Sequence, residues 1–200
     1  MSDNIPTTLR QKIAKLARNT NRLIDYVNDY YKNLEGTSTR IVIPNGITKI
    51  RLFAFANMHI EELIIPDTVE EIGYEAIYCC NELTELVLPK VKTLYSRSID
   101  SCYYLETLYL PKTLEQVYYH DMGSCYRLKN IIFENGIDCN FNSNMRFSGN
   151  SLTTETLVAM LEALADRRQK QPYTLYLGAN LDKLTDEQKE IAINKNWNLA

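Results

Sequence analysis

Histidine is scarce in this sequence, and its scarcity limits the chemistry that the chain can support. The 200 residues include two histidines, His59 and His120, and neither stands at a recognisable catalytic spacing from a cysteine, serine or carboxylate. Cys79 and Cys80 have no matching CxxC or HxxxH segment that would complete a zinc site. The phosphate-cradling motifs GxGxxG and GxxxxGK[ST] do not occur. The sequence therefore predicts a non-enzymatic protein that needs no metal and no cofactor.

An excess of positive charge and a long apolar run are also missing. The net charge is -3 and the pI is about 5.5, which leaves no basic field to hold phosphates, so nucleic-acid binding is disfavoured. No apolar run is long enough to span a bilayer, and the first residues lack the charged start and apolar core of a secretory signal. We expect a protein made in the cytoplasm, without a signal peptide and without a membrane partner.

A repeat is the most prominent feature that the sequence does contain, and it runs from Ile41 to Phe133. One apolar tetrapeptide returns at steps of 22 or 23 residues. A period in the twenties indicates a solenoid, in which each coil buries its apolar face against the next coil. The tetrapeptides end at Pro44, Pro66, Pro89 and Pro111, and Glu134 takes the proline position in the fifth copy.

Two apolar positions in each copy lie two residues apart, so both face one side of a short strand and the residue between them faces outward. A later apolar column contains Cys80, Cys102 and Cys125, where small, weakly polar thiols pack well, and we expect these thiols to stay free. The two strand columns are Ile41, Leu63, Leu86, Leu108 and Ile131, followed by Ile43, Ile65, Leu88, Leu110 and Phe133.

The coil pattern, LxLPxxVxxI followed by an apolar position and then Cys, resembles the BspA-like subclass of bacterial leucine-rich repeats. The resemblance covers residues 41 to about 133. It implies an α/β solenoid of leucine-rich repeats, which we place at residues 37–150. The first copy departs from the pattern, because it has Met58 in place of Cys and one residue fewer before Ile60.

A heptad pattern precedes the repeat in residues 1–36. Apolar residues alternate at steps of three and four, as in a coiled coil, and Gly36 follows as a stop signal. We expect this helix to form a homo-oligomer, a dimer or a trimer; the alternative is a single amphipathic helix that covers the first coil of its own chain. The heptad positions are Leu9, Ile13, Leu16, Thr20, Leu23, Val27, Tyr30 and Leu34.

The remaining segment, residues 151–200, changes to a mixed helix and strand pattern. We predict a helix from Ser151 to Asp166 with Thr153 or Thr154 as N-cap, a strand from Thr174 to Gly178, a second helix opened by a capping box at Thr185, and a strand at Trp197–Leu199. Together these elements predict a small α/β module that caps the solenoid.

This module, with its LxLGxxLxKLTDEQK segment, resembles the C-terminal part of tail and minor structural proteins from phages and prophages of Gram-positive bacteria. The resemblance implies a virion component that is synthesised in the host cytoplasm and attaches to a host cell surface. Glycine is expected before the tryptophan, and Asn196, which tolerates a left-handed cap conformation, replaces it here.

Tyrosine is abundant, with fourteen residues against five phenylalanines. Its ring and hydroxyl suit protein interfaces and stacking on sugars, although half-buried rings at the coil edges explain the pattern equally well. We expect Tyr95, Tyr103, Tyr118 and Tyr126 to form paired rows that engage one extended ligand. The full set of candidate ligand-binding residues is Tyr74, Tyr95, Tyr103, Tyr109, Tyr118, Tyr119 and Tyr126.

The leading hypothesis from the sequence is a non-enzymatic adhesion protein of a phage or prophage tail. It would display the tyrosine-rich face as an oligomer and bind a host cell-surface glycan or protein, with multivalency raising the apparent affinity. The alternative is an intracellular leucine-rich-repeat module that binds or inhibits a host protein.

Overall fold

The computed structural model of the chain describes residues 39–121, 124–141, 145–147 and 152–200. The predicted coiled coil and its eight heptad positions lie outside the described residues.

The solenoid is built from thirteen short strands among the described residues. In chain order the strands are β1 (Arg40–Val42), β2 (Lys49–Ile50), β3 (Glu62–Ile64), β4 (Glu71–Ile72), β5 (Ile77–Tyr78), β6 (Glu85–Val87), β7 (Thr93–Leu94), β8 (Ile99–Asp100), β9 (Thr107–Leu110), β10 (Gln116–Val117), β11 (His120–Asp121), β12 (Asn130–Phe133) and β13 (Met145–Arg146). The C-terminal segment adds α1 (Thr154–Ala163), β14 (Tyr173–Leu175), a 3-10 helix (Gly178–Lys183), α2 (Asp186–Ile193) and β15 (Trp197–Leu199).

The described strands occupy three sides of a parallel solenoid. The first side carries the pair β1-β3 and the sheet β6-β9-β12, the second carries β2-β4-β7-β10, and the third carries the pairs β5-β8 and β11-β13. Each strand pairs in parallel with the equivalent strand of the neighbouring coil, so that Ile41 faces Leu63 and Leu86 faces Leu108. The repeat period of the sequence is therefore the pairing register, and the predicted leucine-rich-repeat solenoid is confirmed.

The two strand columns form the centre of the solenoid. Leu86 and Leu88 are buried, whereas Val87 between them is exposed, as the period of two predicts. The cysteine column is also buried, and no disulfide joins the five cysteines. Two of these thiols donate to a carbonyl of the preceding coil: the Cys80 Sγ to Phe55 and the Cys102 Sγ to Ile77, both at 3.1 Å. The thiols therefore add hydrogen bonds between neighbouring coils inside the core.

The solenoid continues beyond Phe133 through an aromatic cluster. The Phe133 ring stacks on Phe141 with a centroid distance of 5.0 Å, and Phe147 packs 6.3 Å from both rings. These three large buried rings take the place of the aliphatic side chains that fill the core of the earlier coils. The aliphatic sequence pattern therefore ends here, although the chain continues to pack against the solenoid. Ile137 then bridges in parallel to Leu164, and α1 packs against β12.

The helix α1 is shorter than the predicted Ser151–Asp166. It begins after Thr153, whose side chain accepts a hydrogen bond from the Thr156 amide, and it ends at Ala163. Its buried residues Leu157, Met160 and Leu161 lie on one face, as the apolar periodicity predicts.

The last elements of the chain form a short pair of parallel strands, β14 and β15, with the second helix in the connection between them. The capping box of α2 is present, since Thr185 and Gln188 each accept from the other's backbone amide. The predicted strand ends at Leu175 rather than Gly178, because the Leu177 and Gly178 amides both donate to the Ala200 carbonyl and start the 3-10 helix. Asn196 has a φ of 63°, the left-handed conformation expected of it.

Candidate binding surface

The seven tyrosines of the predicted binding face lie at three places on the solenoid. Tyr109 lies on the first side. Tyr95 and Tyr118 directly follow second-side strands, and Tyr74 and Tyr119 lie in the adjacent column. Tyr103 and Tyr126 lie in the turn that leads from the third side back to the first. The two predicted rows therefore both exist, but strands of the third side separate them, and the seven tyrosines do not form one continuous face.

The row after the second side is a parallel stack. The Tyr95 and Tyr118 rings are 5.3 Å apart with an interplanar angle of 6°. The Lys49 Nζ lies 4.7 Å from the Tyr95 centroid and 2.7 Å from a Glu71 carboxylate oxygen. Because Lys49 comes from the first coil and Tyr118 from the fourth, the two groups cover opposite faces of the Tyr95 ring.

Gly73 explains how Lys49 reaches across a whole coil. It occupies the column of Tyr95 in the intervening coil, and a Cβ there would stand 2.8 Å from backbone atoms of Arg51 and Leu52. A side chain at this position would also fill the space between Lys49 and Tyr95. The Tyr95–Tyr118 stack is therefore an integral part of the solenoid wall.

The neighbouring column makes separate aromatic contacts. The Tyr74 ring meets Phe53 edge-on at 5.6 Å, and the Tyr119 ring lies 5.9 Å from the Arg146 guanidinium. Tyr74 is 41% exposed and Tyr119 is 46% exposed. These two tyrosines lie in the same column but contact different partners, so they offer two isolated ring edges rather than a shared platform.

Tyr109 belongs to an apolar row on the first side. The row consists of the outward residues between the two buried strand columns, and every member that the structure describes is apolar or aromatic. Val87 and Ile132 are each more than 40% exposed. The members are Val42, Ile64, Val87, Tyr109 and Ile132.

The second row is the more exposed of the two. The Tyr103 and Tyr126 rings stack at 5.3 Å with an interplanar angle of 13°, and Tyr126 is 68% exposed. The Tyr103 amide donates to the Asn81 Oδ1 at 3.3 Å. This bond fixes the turn of one coil on the turn before it, so the ring stack is held by the backbone and not by cover over the rings.

A third tyrosine adjoins this row. Tyr104 is 46% exposed, and the Arg127 guanidinium lies 4.3 Å from its ring centroid. Tyr104 stands in one column with Glu82, one coil earlier, and Arg127, one coil later. Tyr104 is not among the seven predicted binding residues, although its position directly after Tyr103 in the same turn is a signal that could have identified it.

An open pocket of about 590 Å³ lies beside these rings, lined by Glu61, Asn81, Glu82, Thr84 and Tyr104. Its origin can be traced to the sequence. The first coil has one residue between Met58 and Ile60, whereas the second has two between Cys80 and Leu83, so the column of Glu82 and Tyr104 has no member in the first coil. The missing residue leaves a concavity next to Glu82. We call this pocket, together with Tyr103, Tyr126 and Arg127, the corner surface.

The carboxylates of the pocket are only partly satisfied. The Glu82 Oε1 lies 2.6 Å from the His59 Nδ1, while its Oε2 is buried and has no hydrogen-bond donor among the described residues. The Glu61 Oε2 accepts from the Thr39 Oγ1 at 2.8 Å. A buried acceptor without a donor is costly, and an oxygen that solvent does not reach is not available to a ligand in the open pocket.

Other kinds of site receive no support from the part of the chain that the structure describes. Within those residues, no group of three or more histidine, cysteine, aspartate or glutamate side chains is placed to hold a metal ion. The described helices include none that is long and apolar enough to cross a membrane.

A comparison with protein families finds a match to the family described as BspA type leucine rich repeat region. The match comprises six copies over residues 27–153. It begins inside the segment with the predicted heptads and extends beyond Glu134, so the repeat is longer than the five copies read from the sequence. The buried rings of Phe141 and Phe147 depart in size from the aliphatic pattern of the earlier copies, so the pattern read from the sequence ends at Phe133.

The structural comparisons find solved leucine-rich-repeat proteins with low sequence identity. A leucine rich cell surface protein from Faecalibacterium prausnitzii is 16% identical with a TM-score of 0.43, and the alignment covers 50% of this chain but only 33% of that one. A leucine rich repeat protein of T. pallidum is 15% identical with a TM-score of 0.47, covering 82% of this chain and 86% of that one. No curated protein matches the sequence.

Proposed function

The chain belongs to the BspA-type leucine-rich repeat family, and from that premise we propose that it is a non-enzymatic adhesion protein whose corner surface binds a ligand on a cell surface. The single observation that carries the proposal is the position of the exposed Tyr103–Tyr126 stack beside an open pocket whose lining is polar, with Glu61, Asn81 and Thr84 among its residues. Rings supply apolar contact area, and the pocket supplies directional hydrogen bonds. A recognition site needs both.

The rigidity of the corner surface supports binding without a conformational change. Its side chains project from turns whose backbones are bonded coil to coil, as the Tyr103 amide to Asn81 shows. Leu105 and Cys102 anchor the same turn in the core. A surface that is held before the ligand arrives loses little entropy on binding, which favours affinity.

The finer proposal is that the protein is a tail component of a phage or prophage. It is supported by the resemblance of residues 151–200 to tail proteins and by the heptads of residues 1–36, which would join two or three copies. Several corner surfaces in one assembly would raise the apparent affinity for a cell even if each binds weakly.

The test compares two double variants of the full-length protein. Fluorescently labelled wild type, Tyr103→Ser/Tyr126→Ser and Tyr95→Ser/Tyr118→Ser are incubated with intact Gram-positive bacteria and with purified cell-wall material. We expect the first variant to lose binding by tenfold or more, on the order of the loss of two exposed aromatic anchors. The second variant removes as many rings of the same type from the solenoid wall and should bind like the wild type.

The two variants also define the outcome that would contradict the proposal. Equal binding by the first variant and the wild type would exclude the corner surface as the adhesive site. If binding instead disappears only with the second variant, the site lies at the second side. Treating the cells with protease before the assay separates a protein ligand from a glycan.

The oligomer is tested separately by light scattering on the full-length protein. A dimer or trimer is expected. A mass equal to one chain of 23.2 kDa would remove the multivalent part of the proposal and leave the corner surface untouched.

A further inference from the structure

We propose that the segment from Leu9 to Leu23 covers the apolar row of the first side in its own chain as long as that chain is not assembled with other copies. The inference goes beyond the proposed adhesive function and does not depend on the corner surface. It follows from the exposure of the row, from the length and entry point of the chain that precedes it, and from the opposite charges of the two surfaces.

The apolar row is a continuous stripe that is open to solvent. Neighbouring members pair in register, as Val87 does with Tyr109, so five side chains follow one another along the solenoid. Val87 is 43% exposed and Ile132 is 42% exposed. A contiguous exposed apolar surface of this kind marks an interaction site. Partly exposed prolines at the ends of the strands widen the stripe: Pro44, Pro66 and Pro89.

The length of the row matches the length of the segment. Five strands span four separations of roughly 4.8 Å each, so the row is about 19 Å long. Leu9, Leu16 and Leu23 recur every seven residues, and a helix that carries all three extends about 21 Å from the first to the last. The three leucines of such a helix would therefore reach from one end of the row to the other.

The chain enters the described structure beside the row. The Thr39 carbonyl accepts from the amides of Glu61 and Glu62 at 2.7 and 3.1 Å, directly before β1, whose outward residue Val42 begins the row. Residues 24–38 connect the segment to this point and reach about 50 Å when extended, which is more than the length of the row. A segment tethered in this way meets the row at an effective concentration far above that of a second copy in dilute solution.

Opposite charges occur in the segment and beside the row. Residues 4–24 contain five cations and no acid. In a helix, Lys12, Lys15 and Arg22 lie on one flank of the leucine stripe. In the first three coils, the flank of the row on which the chain enters carries one cation, Arg40, and four glutamates, so the charges favour one orientation of the segment on the row. The glutamates are Glu61, Glu62, Glu82 and Glu85.

The leucine stripe would serve two partners that exclude each other. Leu9, Leu16 and Leu23 are also positions that would join copies in the proposed coiled coil, so a segment that lies on the row cannot pair with the segment of another copy. An unassembled chain would thus keep its apolar row covered, and assembly would uncover the row.

The test introduces a photo-reactive benzophenone amino acid in place of Leu16 in the full-length protein. Isotope-labelled and unlabelled protein are mixed, irradiated at successive dilutions and digested, so that mass spectrometry separates links within one chain from links between copies. We expect links within one chain to peptides that contain Ile64, Val87 or Tyr109, and we expect their share to rise on dilution.

Two double variants serve as a matched pair. Val87→Ser/Ile132→Ser shortens two exposed members of the row and should reduce the links within one chain about tenfold. Leu52→Ser/Phe53→Ser shortens two side chains that are 56% and 49% exposed in the turn after β2, and it should leave the links unchanged.

A triple variant tests the charges. Lys12→Glu/Lys15→Glu/Arg22→Glu reverses the charged flank of the segment and should also reduce the links to the row, by a larger factor at low salt than at high salt. An equal yield of links to the row from this variant and from the wild type at low salt would contradict the charge argument and overturn the proposed orientation.

Three results overturn the proposal as a whole. The first is that links join only the segments of two copies at every dilution. The second is that links within one chain lie outside the first side, for example at Leu52 or Phe53, which would place the segment on the first coil alone. The third is an equal yield of links from the wild type and from Val87→Ser/Ile132→Ser. None of these results bears on the cell-binding assay, which tests the corner surface separately.

Discussion

The two tyrosine stacks have the same ring separation, 5.3 Å, and nearly the same parallel geometry, yet their surroundings differ. Tyr95 is covered by Tyr118 on one face and by Lys49 on the other, and Lys49 is itself paired with Glu71. Tyr126 at the corner is 68% exposed and adjoins an open acidic pocket. The first stack is part of the wall of the solenoid, and the second projects from it.

This difference shows that a column of identical residues does not define a function by itself. The repeat places a tyrosine over a tyrosine in both rows, because every coil pairs with the next one in the same register. Single residues in neighbouring coils then determine whether each stack is covered or exposed. Gly73 leaves the space that Lys49 crosses to cover Tyr95, and the shorter turn before Ile60 opens the pocket beside Glu82.

The largest expected effect tests the register that brings each pair of tyrosines together. Leu88→Asp places a charge in a fully buried column and should lower the free energy of unfolding by more than about 4 kcal/mol. Its neighbour Val87 is 43% exposed, so Val87→Asp should cost about 1 kcal/mol or less. Urea denaturation followed by circular dichroism measures both. Similar losses for the two variants would contradict the assignment of buried and outward columns.

The columns could be predicted from the sequence because a solenoid repeats one local rule. Leu86, Leu88 and Cys102 are buried where their period places them. The pocket could not be predicted in the same way. It arises from a missing residue before Ile60 and from Glu82 in the next coil. A deletion in one copy produces a concavity only when the coils are stacked, so the linear sequence does not reveal it. Tyr104 was likewise missed, because its importance comes from the pocket it faces.

The second prediction concerns the space on which the wall stack depends. Gly73→Ala would put a Cβ 2.8 Å from backbone atoms of Arg51 and Leu52, so the first two coils must separate. We expect a loss of about 1–3 kcal/mol in the free energy of unfolding. Gly46→Ala is a useful contrast: its Cβ would meet nothing within 4 Å, and its cost comes only from the φ of 95°. A stable Gly73→Ala protein would show that the wall tolerates a wider spacing.

The third prediction compares the stability of the two double serine variants. Tyr95→Ser/Tyr118→Ser removes a ring pair and a cation contact from the wall, and should lower the free energy of unfolding by about 1–2 kcal/mol. Tyr103→Ser/Tyr126→Ser removes a more exposed pair and should cost less than about 1 kcal/mol. Thermal denaturation of both variants decides the order. The reverse order would mean that the corner stack is the structural one.

The smallest expected effect is the pH dependence of the ion pair beneath the wall stack. The hydrogen bond from the Lys49 ammonium is the main cause that holds the pKa of Glu71 below its ordinary value of 4.5, and the Tyr95 hydroxyl adds a smaller contribution. A carboxylate whose pKa is lowered in the folded state stabilises the fold fully above the unfolded pKa, and this stabilisation is lost as the pH falls through the folded pKa.

Both the Lys49 and the Glu71 side chains are more than one third exposed, so the ion pair should contribute about 0.5 kcal/mol or less to the free energy of unfolding. The stability advantage of the wild type over Glu71→Gln should therefore be present at pH 6 and decline as the pH falls below the ordinary pKa of 4.5, which urea denaturation at a neutral and at an acidic pH would measure. Glu85→Gln, on the exposed first side, is the matched control. A difference that stays constant between the two pH values would mean that Glu71 acts through packing rather than through its charge, and the Lys49 ammonium would then have to be held over Tyr95 by the ring alone.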